Sequence, residues 1–81
     1  MEIEWTETAL EDMAGLDQGT ARRVKQSVER FANTVAGNVK RLQGIDPPEF
    51  RLRVGDWRVR FHNGCVTVIV LRVRNRREAY R

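Results

Sequence analysis

Cysteine is almost missing from this chain. Cys65 stands alone, so no internal disulfide framework can staple the fold, which suits a reducing compartment. Proline occurs only as Pro47-Pro48, which blocks helix there and pushes Asp46 toward extended geometry. No apolar run approaches the roughly 20 residues that a membrane span needs. The N-terminus, Met-Glu-Ile-Glu-Trp, is acidic and lacks the basic-then-apolar form of a signal peptide, so a cytosolic protein is expected. Histidine and tyrosine occur once each, as His62 and Tyr80. No cluster of Cys, His, Asp and Glu has metal-site spacing, and no glycine-rich loop precedes a helix to cradle phosphate. Neither a metal nor another cofactor is expected.

Arginine is what the chain has in quantity, and its distribution is uneven. Residues 1–37 hold four basic and seven acidic side chains, a balance of −3, whereas residues 38–81 hold eleven basic and four acidic, a balance of +7. That split points to an anionic partner, nucleic acid above all, meeting the C-terminal half. At 81 residues the chain reads as one domain spanning 1–81. A domain this short buries only about 60% of its unfolded surface, so a partner could add to its stability.

The last thirty residues organise the rest. Asn63-Gly64 is a strong signal for a two-residue hairpin loop, because a type I′ turn needs φ > 0 at both central positions. Gly55-Asp56 reads as a second such loop. The expectation is a three-stranded meander over 50–54, 57–62 and 65–74. Two-residue loops place Val54 opposite Trp57, Leu52 opposite Val59 and Phe50 opposite Phe61. In the second hairpin they place Phe61 opposite Val66, Val59 opposite Val68 and Trp57 opposite Val70. One face, carrying these apolar residues, is a core. The other carries Arg51, Arg53, Arg58, Arg60 and His62, beside Thr67, Ile69, Leu71 and Val73. Arg53 then lies opposite Arg58, and Arg51 opposite Arg60. Like charges opposed across strands repel, and an anionic partner relieves that repulsion. A solvated face whose side chains splay apart is the alternative.

Upstream, Ile3 and Trp5 alternate with glutamates as in a half-buried strand over 2–6. Thr8-x-x-Glu11 fits a capping box, followed by Ala9, Leu10, Met13 and Leu16 at helical spacing. A second helix is expected from Gln18 to Ala36, with Ala21, Val24, Val28, Phe31 and Val35 buried and Gly37 as its stop. Residues 38–49 read as a connection. The order is β-α-α-β-β-β, an α+β domain with an antiparallel sheet and two helices packed on one face.

Arg41-Leu-x-Gly44, then Phe50-Arg-Leu-Arg-Val-Gly-Asp-Trp-Arg-Val-Arg-Phe61, then Val73-x-x-Arg-Arg-Glu-Ala-Tyr-Arg81 resembles the RelE/ParE superfamily of bacterial toxins. The resemblance spans nearly the whole chain and implies a RelE-like fold. It implies one of two activities. The RelE branch cleaves messenger RNA in the ribosomal A site by 2′-OH attack on the adjacent phosphate, leaving a 2′,3′-cyclic phosphate. The ParE branch inhibits DNA gyrase without catalysis. Both imply a cognate antitoxin, expected here as an acidic, partly helical segment, while the first also implies the ribosome and its message as partners.

Carried onto this sequence, the RelE pattern makes Arg58 the strand arginine on the scissile phosphate, Arg76 the second catalytic arginine, and Tyr80 the residue that orients or stacks on the base. Arg51 and Arg53 fall where relatives commonly carry lysines. Arg60, Arg74 and Arg77 complete the expected RNA-binding set. Arg76 and Arg77 are adjacent, so only one can enter the site. The central position of Arg58 supports its assignment independently, since its fork matches phosphate oxygens. Arginine at 51 and 53 stays protonated and cannot readily serve as a base. Asn75 replaces a histidine common in relatives, so the proton acceptor is open. His62 is one candidate, for its ordinary pKa lies near neutrality; a turn-flanking polar role is the other reading. Cys65 opposite His62 is a hairpin juxtaposition with no third group to orient it.

Overall fold

Val59, Phe61, Val68 and Val70 are almost wholly excluded from solvent in the computed structural model, which describes residues 1–64 and 66–76. They lie on the middle strands of a sheet built from β1 (Glu2–Trp5), β2 (Asn38–Arg41), β3 (Phe50–Val54), β4 (Trp57–Asn63) and β5 (Thr67–Asn75). The spatial order is β1-β5-β4-β3-β2. Helices α1 (Glu7–Ala14) and α2 (Gln18–Thr34) supply Ala9, Val24, Val28, Phe31 and Ala32 to the core over the apolar face. Phe61 sits between Phe31 and Phe50, with ring centroids 5.0 and 5.7 Å away. The expected α+β class and the packing of the helices are borne out.

The order carries one more strand than expected, β-α-α-β-β-β-β. Residues 38–41 are not part of a loop but pair antiparallel with β3, so that Val39 stands opposite Leu52, Lys40 opposite Arg51 and Asn38 opposite Arg53. At the far edge β1 joins β5 in parallel, placing Ile3 beside Val68 and Trp5 beside Val70. The sheet is therefore mixed, antiparallel through four strands. Among the described residues no helix is long and apolar enough to cross a membrane.

The β3–β4 hairpin has the register read from the sequence: Arg51 faces Arg60, Arg53 faces Arg58, and Gly55 adopts φ 58° in the turn. The β4–β5 hairpin does not. Asn63 pairs with Val68, so the connection is longer than Asn63-Gly64, and Val66, expected in the core, is 70% exposed. Further along, Phe61 pairs with Val70 but Arg60 pairs with Arg72, leaving Leu71 as an extra residue on β5. The physical reason is parity. Strict alternation beyond Val70 would drive Arg72 and Arg74 into the core; a bulge at Leu71 switches the faces and buries Val73 in their place. Val73, expected on the basic face, is thus core.

Helix ends differ from expectation in the same local way. The cap of α1 is Thr6 rather than Thr8: its Oγ1 accepts from Ala9 N at 3.1 Å and donates to Leu71 O, fastening the helix start to β5. Leu10 is exposed, so it leaves the predicted stripe. Helix α2 is capped by Asp17, as its start at Gln18 requires, but it stops at Val35 instead of Gly37. Val35 adopts left-handed φ 57°, ψ 22° and is exposed, not buried. Gly37 serves a different need, since a Cβ there would lie 2.9 Å from Leu52 Cδ1.

Candidate anion-binding site

Pairing across four strands sets the basic residues in two rows on the face away from the helices. One row runs Asn38, Arg53, Arg58, Arg74; the next runs Lys40, Arg51, Arg60, Arg72. Neighbouring strands lie about 4.8 Å apart, so each row spans about 14 Å. The rows are not equally charged in effect. Glu49 holds Arg60 through contacts of 2.7 and 3.0 Å, and Asp12 holds Arg72 at 3.0 Å. Asp12 also accepts from the Val73 N–H, on the stretch of β5 that runs on past its last pairing with β1 at Val70. Of the other basic side chains in the two rows, Lys40, Arg51, Arg53 and Arg58 lie toward β2, β3 and β4.

There a pocket of about 250 Å³ is lined by Asn38, Lys40, Arg51, Arg53, Arg58 and Arg76. Its described lining holds five cationic side chains and no carboxylate. Arg58 is only 6% exposed, although it projects from the face expected to be solvated. Its Nη1 donates to the carbonyls of Gly55 and Trp57 at 3.0 and 3.2 Å, while its Nε is buried with no partner among the described residues. Arg74 Nε, directly opposite, is in the same condition. The Gly55-Asp56 turn also receives the Arg76 backbone, whose N–H donates to Asp56 O at 2.6 Å. One turn thus fixes both Arg58 and Arg76 at the pocket.

The structure therefore brings together Arg51, Arg53, Arg58 and Arg76 from the residues singled out in the sequence, and sets Arg74 beside Arg58. It turns Arg60 to Glu49. His62 faces elsewhere: its Nδ1 donates to Pro48 O at 3.0 Å, and it lines a separate apolar groove with Arg41, Pro47, Pro48, Phe50 and Ile69. Arg77, Tyr80 and Cys65 lie outside the described residues. Among those residues no group of three or more Cys, His, Asp or Glu could hold a metal. Lys40 and Asn38 were missed, because residues 38–49 read as a connection. The signal was present in Asn38-Val-Lys-Arg41, whose single apolar residue, Val39, packs against the core while its neighbours face the pocket.

This fold is found in solved toxins. The chain superposes on the RelB-RelE antitoxin-toxin complex of Methanococcus jannaschii with a TM-score of 0.78 at 22% identity, covering 95% of this chain and 94% of that one. For the RelE-RelB complex of Pyrococcus horikoshii OT3 the TM-score is 0.77 at 17% identity, with 93% of each chain covered. For the intact Escherichia coli RelBE complex it is 0.69 at 18% identity, covering 91% and 94%. At these identities the likeness establishes a shared fold. No curated protein sequence matches the chain. The model of the ParE toxin of the type II toxin-antitoxin system parDE matches residues 3–80. The chain belongs to that family, and is a toxin of a type II toxin-antitoxin system within the RelE/ParE superfamily.

Proposed function

We propose that this toxin cleaves messenger RNA under translation, in the ribosomal A site, by attack of a 2′-hydroxyl on the neighbouring phosphate. Arg58 is the observation that supports the reading most. A guanidinium 6% exposed, with its Nε unmet among the described residues, lines a pocket whose described ionisable side chains are all basic. A buried cation is costly unless an anion completes it, and a guanidinium fork matches phosphate oxygens. Arg51, Arg53 and Arg76 would share the charge that develops on the phosphoryl oxygens. Among the described lining residues Asn38 alone resembles a base-reading group, so placement of the message falls to the ribosome. Positioning of that kind supplies roughly 7–11 kcal/mol of a barrier. The test is one message incubated with the toxin, with and without initiated ribosomes. Cleavage confined to the tube with ribosomes is expected; equal cleavage in both points to a free-standing nuclease.

A second reading rests on the family match itself, which is to ParE toxins. On that reading the basic face docks on DNA gyrase and inhibits it without catalysis. Inhibited supercoiling with no cleavage of message would favour it. Either activity calls for an antitoxin, and the +7 balance of residues 38–81 suits an acidic, partly helical segment. Both targets place the toxin in the cytoplasm.

A further inference from the structure

Lys40 is the one described side chain lining the Arg58 pocket that can release and take up a proton. Asn38 has an amide, and the guanidinium groups of Arg51, Arg53, Arg58 and Arg76 stay protonated in proteins. No carboxylate stands in the described lining, and His62 is engaged with Pro48 in another groove. Strand β2 puts Lys40 directly across from Arg51, exposed at the edge of the sheet, where a flexible four-carbon stem can reach a bound nucleotide. Arginine at 51 and 53 makes those strand positions carriers of charge, and the neighbouring strand returns an amine to the same pocket.

Resting on the ribonuclease reading, we propose that Lys40 accepts the proton of the attacking 2′-hydroxyl. Lys40 Nζ takes that proton as O2′ bonds to phosphorus. The bond from phosphorus to the 5′-oxygen of the next nucleotide breaks, and its electron pair leaves with that oxygen. Water protonates the departing oxygen, and the hydroxide so formed removes the extra proton from Lys40. The products are a 2′,3′-cyclic phosphate and a 5′-hydroxyl, with no change of oxidation state and no reactant beyond water. The arginines carry the phosphoryl charge throughout.

Lys40→Arg separates proton transfer from charge, because it keeps a cation at an exposed position and changes no core residue. With a translated message, cleavage by this variant is expected to fall about 10²–10⁴-fold, while its salt-dependent binding to free RNA stays at the wild-type level. Lys40→Ala should regain part of its cleavage when methylamine is added, and the regain should grow as pH rises and more free amine is present. A merely structural or charge-carrying lysine would show neither the loss in Lys40→Arg nor the rescue. Wild-type cleavage rates in Lys40→Arg, or no rescue of a Lys40→Ala variant that melts like the wild type, would overturn the proposal and leave the ribonuclease reading standing. A wild-type toxin that leaves translated message uncut removes both.

Discussion

Arg58 on β4 and Arg74 on β5 stand directly opposite each other, and each keeps its Nε buried with no hydrogen-bond partner among the described residues. Two like charges at facing positions destabilise a sheet, and two unmet donors add a desolvation cost. The fold therefore holds positive potential in place beside the pocket, and an anion bound there should stabilise the whole domain.

A short RNA oligonucleotide should accordingly raise the melting temperature. At 100 times its dissociation constant a ligand contributes about 2.7 kcal/mol, and about 1 kcal/mol shifts Tm by roughly 4–8 °C in a domain of this size. The shift should shrink steeply as salt is added. Thermal melts at low and high salt decide this, and a Tm indifferent to oligonucleotide at low salt would contradict it.

Asp12→Ala should lower stability by about 1–3 kcal/mol, chiefly because it leaves the buried Val73 N–H without its acceptor, while the partly exposed Arg72 guanidinium can turn to water. Asp12→Asn should cost less, because its amide oxygen can still accept from Val73. Urea unfolding of the two variants gives the comparison. Equal midpoints for Asp12→Ala and the wild type would show that β5 does not depend on this carboxylate.

Val35→Asn should stabilise the domain by about 1 kcal/mol. A β-branched residue held at φ 57° is strained, whereas asparagine visits the left-handed region at lower cost. The side chain is exposed, so no packing is lost. A rise in Tm of a few degrees is the expected outcome, and a fall would mean that Val35 makes contacts worth more than its strain.

Asp17 gives a pH dependence of known sign. The Thr20 hydroxyl, and then the Thr20 N–H, hold its carboxyl below the ordinary value of 3.8. Its folded pKa is thus depressed, so the stabilisation is full above the unfolded value and is lost as pH falls through the folded one. Comparing Asp17→Ala with the wild type should show a stability difference at pH 7 that closes below about pH 3.8. A difference that persists unchanged at pH 2 would assign the cap to something other than the carboxylate.

Much of this molecule was legible in its residues, and the failures share a cause. Gly55-Asp56 fixed the β3–β4 register because its flanks alternate cleanly, so Arg53 opposite Arg58 and Arg51 opposite Arg60 could be read directly. Asn63-Gly64 misled, because a local turn preference is worth less than burying Val68, Val70 and Val73 while keeping Arg72 and Arg74 out of the core. The conflict between Val70 and Arg72 was visible as a break in alternation, and a bulge is the ordinary remedy. Strand β2 was missed because four residues with a single apolar member carry little periodic signal. Its cost was Lys40. Burial of Arg58 lay beyond reach, since it depends on how the turn carbonyls of Gly55 and Trp57 gather the side chain back onto the sheet.

The role of Arg58 as a phosphate ligand is tested most directly by Arg58→Lys in a reconstituted translation reaction. Lysine keeps the charge but loses the fork, and with it the bonds to Gly55 and Trp57, so the protein must first be shown to be folded by its melting curve. With initiated ribosomes and one defined message, wild-type toxin should cut within the A-site codon, and folded Arg58→Lys should cut about 10²–10³ times more slowly at the same site. Equal rates for the two proteins would remove Arg58 from the reaction and contradict the site described around it.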